Sequence, residues 1–332
     1  MKINKIKFST RFIYSVRAVQ PSYSCRYILL ALAALLIQAG STFAQDRGGY
    51  TGSFLRYGLG ARAKAMGGAF VGITGDIYNS YYNPAGLPDL ESREATFSYR
   101  NLSLDRVFLF AGFASALPPF AGFAIGVLHS GVNNIDGRDF SGNHTQFYEN
   151  SQNAVLFAFG LKITQWFAVG AGGTLYRESF PQLEGISAQG FGINTGILLK
   201  PLANLKIGAS IRDIRAKFSW NSEDLYDRGS SITDDFPVVY TAGAGYHVEQ
   251  YYTTFLLDVY KNSKSDPGYR IGFENQYLNQ VMIRGGLNNG DLTAGFGFLF
   301  NLLNSAGSFN YAFEISDIDP ETTQILTFTV AF

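Results

Sequence analysis

The chain has 332 residues, 26 basic and 26 acidic side chains, only 16% charged residues, 15% aromatics and 37 glycines. Zero net charge removes the basic footprint that nucleic-acid binding needs, and so much Phe, Tyr and Gly against so little charge excludes a disordered chain. The single cysteine, Cys25, lies in a segment expected to be removed, which leaves the mature chain without disulfides or thiolate chemistry.

The first segment is for targeting. A leader carrying Lys2, Lys5, Lys7, Arg11, Arg17 and Arg26 precedes the apolar run Tyr27–Ile37, and Thr42-Phe43-Ala44 supplies a small-residue exit before Gln45. This order predicts a cleaved secretory signal peptide over residues 1–44. The apolar run is about half the ~20 residues a spanning helix needs. No cysteine follows it to carry a lipoprotein anchor.

Residues 45–94 are irregular and rich in glycine. A short helix is predicted from Ala61 to Gly68, with Arg62 and Lys64 off its apolar side, broken by Gly67, Gly68 and Gly72. Asn83-Pro84-Ala85-Gly86 predicts a tight turn. The segment precedes the first strand and is expected to fold as a plug inside the wall that the later strands build.

From Ala95 to the end the chain alternates. In Gln324–Phe332, Leu326, Phe328, Val330 and Phe332 share one face, while Ile325, Thr327, Thr329 and Ala331 share the other. Period two means strand, and one wholly apolar face against a mixed one is the pattern of a lipid-facing barrel wall. Fourteen such strands are predicted, starting near Ala95, Arg106, Gly122, Asn153, Trp166, Gly190, Leu205, Val238, Tyr252, Tyr269, Val281, Leu292, Gly307 and Gln324. The long connections are 131–152, 177–189, 219–237, 262–268 and 316–323, all odd-numbered, and the even-numbered ones are short. A soluble sandwich imposes no such parity, whereas a barrel with both ends on one side does. Closure is required by the solvent, because a lipid-exposed sheet edge leaves backbone groups unpaired. The expected fold is an all-β, fourteen-stranded antiparallel transmembrane barrel over residues 95–332, with a short helical and irregular N-terminal plug over 45–94.

Charges sit on one face of these strands. Lys206, Arg212, Asp258, Arg270, Glu274, Arg284 and Glu314 are assigned to the lumen, because Arg at mid-depth in lipid costs ~2–4 kcal/mol. Such a set serves either as a polar path for solute or as a paired network that fills the barrel and clasps the plug. The near balance of four bases against three acids favours the network. Gly295 and Gly297 on one inward face would permit a kink or spare room for the plug.

Catalytic and cofactor motifs are missing. His129, His144 and His247 lack neighbours at metal-ligand spacing, and Gly58-Leu59-Gly60-Ala61 lacks the third glycine of a dinucleotide loop. The acidic stretches Asp136–Asp139 and Asp224–Asp235 match no EF-hand pattern and read as solvated charge, suited to docking a partner. No enzymatic activity, metal or cofactor is expected.

The plug residues carry a family resemblance. Gly60-Ala61-Arg62-Ala63, Met66-Gly67-Gly68-Ala69-Phe70-Val71 and Tyr82-Asn83-Pro84-Ala85-Gly86-Leu87 resemble the N-terminus of PorV/PorQ proteins, relatives of the long-chain fatty-acid transporter FadL. The resemblance covers the plug in detail and the remainder by architecture. It implies an outer-membrane location in a Gram-negative cell and one of two non-enzymatic roles. One is support of type IX protein secretion, with secretion-system subunits or secreted cargo as partners. The other is FadL-like uptake of hydrophobic compounds such as fatty acids or hydrocarbons through a side opening. Phe332 resembles the aromatic C-terminal signal read by barrel-assembly machinery.

Overall fold

The computed structural model describes residues 50–332 apart from 183–186, 222–230, 279, 303–304 and 316–321. The segment assigned to export lies outside the described residues. Period-two alternation becomes β1 (Glu94–Leu102), β2 (Arg106–Leu117), β3 (Ala121–Arg138), β4 (His144–Lys162), β5 (Phe167–Ser179), β6 (Ser187–Leu202) and β7 (Leu205–Ile214). A short hairpin comes next, β8 (Lys217–Asn221) and β9 (Ser231–Asp235). The wall resumes with β10 (Val239–Val248), β11 (Thr253–Asn262), β12 (Gly268–Tyr277), β13 (Val281–Asn288), β14 (Asp291–Leu302), β15 (Ser305–Ile315) and β16 (Thr323–Ala331). Each wall strand pairs antiparallel with its neighbours, β7 passes directly to β10, and β1 pairs with β16 to close a fourteen-stranded barrel. Closure leaves no wall edge facing lipid, as hydrocarbon demands.

The outward face is apolar around the wall. Val127, Ala111, Phe97, Phe328, Phe309, Phe298 and Val281 lie in register across seven strands. From Val127 the same row continues the other way through Val155, Leu175 and Phe191. Two residues further along each strand the row is polar: His129, Asn153, Arg177 and Gln189. His129 and Asn153 bond to each other at 2.9 Å. This change of chemistry at one height marks the rim of the apolar band at the long-loop end. Phe120, Trp166, Tyr252 and Tyr277 are exposed at the opposite, short-turn end, where amphipathic rings suit a membrane interface.

The structure departs from the predicted strands in two places. β4 starts at His144 rather than Asn153, and β3 runs on to Arg138. These two strands keep pairing past the membrane band, so the predicted loop 131–152 is a projecting hairpin with a turn at 139–143. The predicted loop 219–237 contains most of the β8–β9 hairpin, which pairs onto the top of β6. Polar alternation beyond lipid carries no burial signal, so sequence patterning does not register either extension. β14 keeps one register with both neighbours, so Gly295 and Gly297 produce no kink in its pairing.

Candidate functional site

The lumen is occupied by the chain's own N-terminal segment. Alternating alanines and cations form α1 (Ala61–Ala65), and a single turn forms α2 (Asn79–Tyr82). The predicted helix to Gly68 stops early because Gly67 and Gly68 take φ of 67° and 77°, a left-handed conformation that ends helices. The Gly67 N–H donates to Thr293 Oγ1 at 2.9 Å as well as to the Lys64 carbonyl at 3.1 Å. Small side chains let α1 approach the wall, and Ala61 and Ala65 pack against Ala312 and Ile325.

Every wall strand touches this segment. Tyr78 meets Thr96 of β1 at 3.0 Å, Tyr57 meets Arg106 of β2 at 2.9 Å, and Ala61 N–H donates to Thr327 of β16 at 2.9 Å. On β3, β4, β5 and β6 the contacts fall on Gly122, Gly160, Gly170 and Gly196, where a Cβ would overlap Leu87, Pro84, Ala85 and Asn83. Gly208 of β7, Gly272 of β12, Gly286 of β13 and Gly295 of β14 face Val71, Met66, Gly67 and Ala65 in the same way. Gly72 lies against the β10 backbone at Gly245. These inward wall glycines are thus space left for the plug; Gly295 is one of the two so read from the sequence, whereas Gly297 faces Arg284 and Asn310.

The turn motif is spent on the same seat. Asn83 caps the 3-10 helix Pro84–Asp89 and donates through Nδ2 to Val71 O at 2.9 Å and to Ile197 O of β6 at 3.1 Å. Pro84 and Ala85 press on β4 and β5, and a Cβ on Gly86 would strike the Asn79 side chain. Gly60 has φ 75° and lies under the Tyr78 ring.

The structure brings all seven lumen charges to the plug or its neighbours. Glu274 accepts from Arg62 Nη2 at 2.7 Å and from Arg284 Nε at 2.6 Å. Arg62 also pairs with Asp76 at 2.8 Å, and Arg284 donates to Asn310 at 2.8 Å. Glu314 pairs with Lys64 at 2.8 Å. Lys206 donates to Thr74 at 2.5 Å. Arg212 lies 4.1 Å over the Tyr81 ring, and Arg270 lies 4.0 Å over Tyr260 with its stem beside Gly68. Asp258 accepts the backbone N–H groups of Phe70 and Val71 at 2.9 and 3.2 Å. Replacing Asp258 by Ala strands both donors, and a loss of about 1–3 kcal/mol is expected, to be measured by thermal unfolding in detergent.

Sequence reading missed three features here. Asp89, at the short-turn end, holds both Lys200 and Lys162, the latter at 3.1 Å. Burial opposes its ionisation, but Lys200 first, then Thr74 and Lys162, hold its carboxyl below the usual carboxylate range. Arg100 of β1 is buried between the rings of Phe108 and Tyr57, at 5.5 and 5.7 Å. Aromatic rings crowd the same space: Phe70 packs on Tyr82 and Tyr78 on Phe110, with centroids 5.0 and 5.7 Å apart. The pocket between Tyr81, Arg212 and Phe236 holds about 10 Å³, room for roughly one water.

Outside the lumen, His144 meets Asp136 at 2.6 Å, and Asp136 also pairs with Arg138 at 2.5 Å, all on the projecting β3–β4 hairpin. His247 bonds Thr254 at 3.0 Å. Part of the second acidic stretch, 224–230, lies outside the described residues. Phe332 is exposed beside Phe113, with ring centroids 6.4 Å apart.

Fourteen antiparallel strands close around the N-terminal segment, and solved structures share this fold. The structure is similar to the Pseudomonas putida toluene transporter TodX, with TM-score 0.63 and 14% identity over 83% of this chain and 99% of that one. It is also similar to the Ralstonia pickettii toluene transporter TbuX, with TM-score 0.58 and 14% identity over 82% and 97% of the two chains. No protein-family model and no curated protein matches the sequence. At this identity the likeness is one of fold.

Proposed function

We propose that the protein is a non-enzymatic outer-membrane channel for hydrophobic compounds. The observation that carries this reading is the plugged barrel itself: a lipid-facing closed wall whose lumen holds an N-terminal segment in contact with all fourteen strands. The fold shared with two toluene transporters supports it. So does the lumen lining, where rings such as Phe70, Tyr78, Tyr82, Phe108 and Phe110 are buried among paired charges. A charge-balanced, ring-rich interior disfavours free ions and offers apolar contacts to a small organic solute. Radiolabelled toluene and hexadecane taken up by outer-membrane vesicles holding the protein, above vesicles without it, is the expected result. Uptake of neither probe overturns the reading.

The secretion-support reading has one feature in its favour besides the plug motif. The β3–β4 hairpin projects past the apolar band and exposes Phe140 and Phe147 at its tip, a surface suited to a protein partner. Co-purification of secretion-system subunits in mild detergent, with no bound lipid or hydrocarbon, would move the assignment to that role.

A further inference from the structure

On the outside of the wall, the sector from β4 to β8 combines a recess with cations that have no protein partner. β6 leaves β7 where their register slips past Asp213, between Ile193 and Thr195, and its next pairing is with β8 at Ala188 and Gln189. Arg177 of β5 is in register with Gln189, and Gln189 with Ser219 of β8. Paired residues share a face of the sheet, so Arg177, Gln189 and Ser219 all lie on the outward side. Phe218 is buried on the inner side. Lys217 is therefore outward too, and it sits nearer the membrane than Ser219. Arg177, Arg215 and Lys217 are exposed, and among the described residues none of their side chains has a hydrogen bond or ion pair. Asp235 is the cross-strand neighbour of Lys217, and Glu149 lies above Asn153 on β4.

Below Arg177 on the same face of β5 come Leu175, Gly173 and Ala171. The rings of Phe157 and Phe191 lie over Gly173, stacked with centroids 6.5 Å apart. Beneath them the small Ala171 opens a groove of about 490 Å³ against Phe123, Ile125, Phe157 and Phe159. At about 3.3 Å per residue, Gly173 and Ala171 lie ~13 and ~20 Å along the strand from Arg177. With a strand tilt of about 40° that is ~10–15 Å of depth beneath the polar rim. Half of a hydrocarbon core of about 30 Å is ~15 Å. The groove therefore takes the lower part of an acyl chain whose headgroup stands at the height of the cations.

Unpaired cations above a greasy recess fit an anionic lipid, because guanidinium and ammonium groups donate charge-assisted bonds to phosphate. The long-loop end faces the outer leaflet in the outer-membrane placement, and the lipid of that leaflet is lipopolysaccharide. Its lipid A anchor carries several acyl chains on a phosphorylated disaccharide. Arg177 and Lys217 stand two strand spacings apart, about 10 Å, a span that a disaccharide headgroup covers and a single phosphodiester does not. We propose that this sector binds one lipopolysaccharide molecule, with its headgroup on Arg177 and Lys217 and an acyl chain in the groove at Ala171. The proposal uses the membrane placement of the barrel and is independent of what the lumen carries.

The test is a titration of the delipidated full chain with lipid A in mild detergent, read by native mass spectrometry. The native protein is expected to bind one molecule, and the variant Arg177→Ala, Lys217→Ala to bind it about tenfold or more weakly. Ala171→Phe fills the groove and leaves both cations in place, and it should weaken binding as well. Lys261→Ala is the control, since Lys261 is an exposed cation near the end of β11 in a different sector, and it should bind as the native protein does. Dephosphorylated lipid A and phosphatidylglycerol should bind the native protein no better than lipid A binds the double variant. Native affinity in the double variant, or phosphatidylglycerol held as tightly as lipid A, overturns the proposal and leaves the channel function standing. If the Ala171→Phe barrel does not assemble, the cation variants decide alone, since their exposed side chains support no contact of the fold.

Discussion

Leucine at both Gly208 and Gly286 is expected to drive the plug from the barrel and turn a closed lumen into a conducting one. At Gly208 a Cβ would overlap the Val71 carbonyl, and at Gly286 it would overlap the Gly67 nitrogen. Both obstacles are backbone, so no rotamer change on the plug makes room. Overpacking costs typically about 1–3 kcal/mol per site, and the two sites bear on the plug from different stretches of wall. Planar-bilayer recordings should show large steady conductance for the double variant and a closed state for the native protein. Proteolysis should reach the 50–93 segment only in the variant. Gly285→Ala is the control, since a Cβ there meets the far end of the Phe273 ring, which can turn aside. A closed, protease-resistant double variant would show that the wall dilates to accommodate the side chains.

The second large effect is expected at Glu274. Its two oxygens receive Arg62 from the plug and Arg284 from the adjacent strand. Glu274→Ala leaves two guanidiniums short of an acceptor in a space where Arg284 is only 5% exposed. Breaking a buried pair by removing one partner costs about 3–5 kcal/mol, far more than the intact pair contributes. Thermal unfolding in detergent is the measurement, run as a cycle with Arg62→Ala. The double variant is expected to lose less than the sum of the single losses, the mark of direct coupling. Additive losses would place Arg62 and Glu274 in separate roles despite the 2.7 Å contact.

The strand plan was legible because it is local. Leu326 and Phe328 face lipid for the same reason at every second position, and the solvent enforces that choice without reference to the remaining strands. The β3–β4 extension was not legible, since both faces beyond the band meet water and no pattern is imposed on them. The charges of the lumen were legible as a class, because their side of each strand is fixed by period two. Their partners were not: Arg62 and Glu274 are 212 residues apart, and which strand faces which part of the plug depends on how the segment threads the lumen.

Residue order alone was therefore enough for the fourteen antiparallel wall strands and their closure into a barrel. Three things emerge only once the chain is folded: which part of the N-terminal segment each inward glycine seats, that Asp258 caps the Phe70 and Val71 amides, and that the β6–β7 ladder is interrupted at Asp213. The division has a physical cause. Alternation is set by lipid on one side and polar surroundings on the other, residue by residue. Contact across a filled lumen is set by the offset between strands and by the course of a segment with no period of its own.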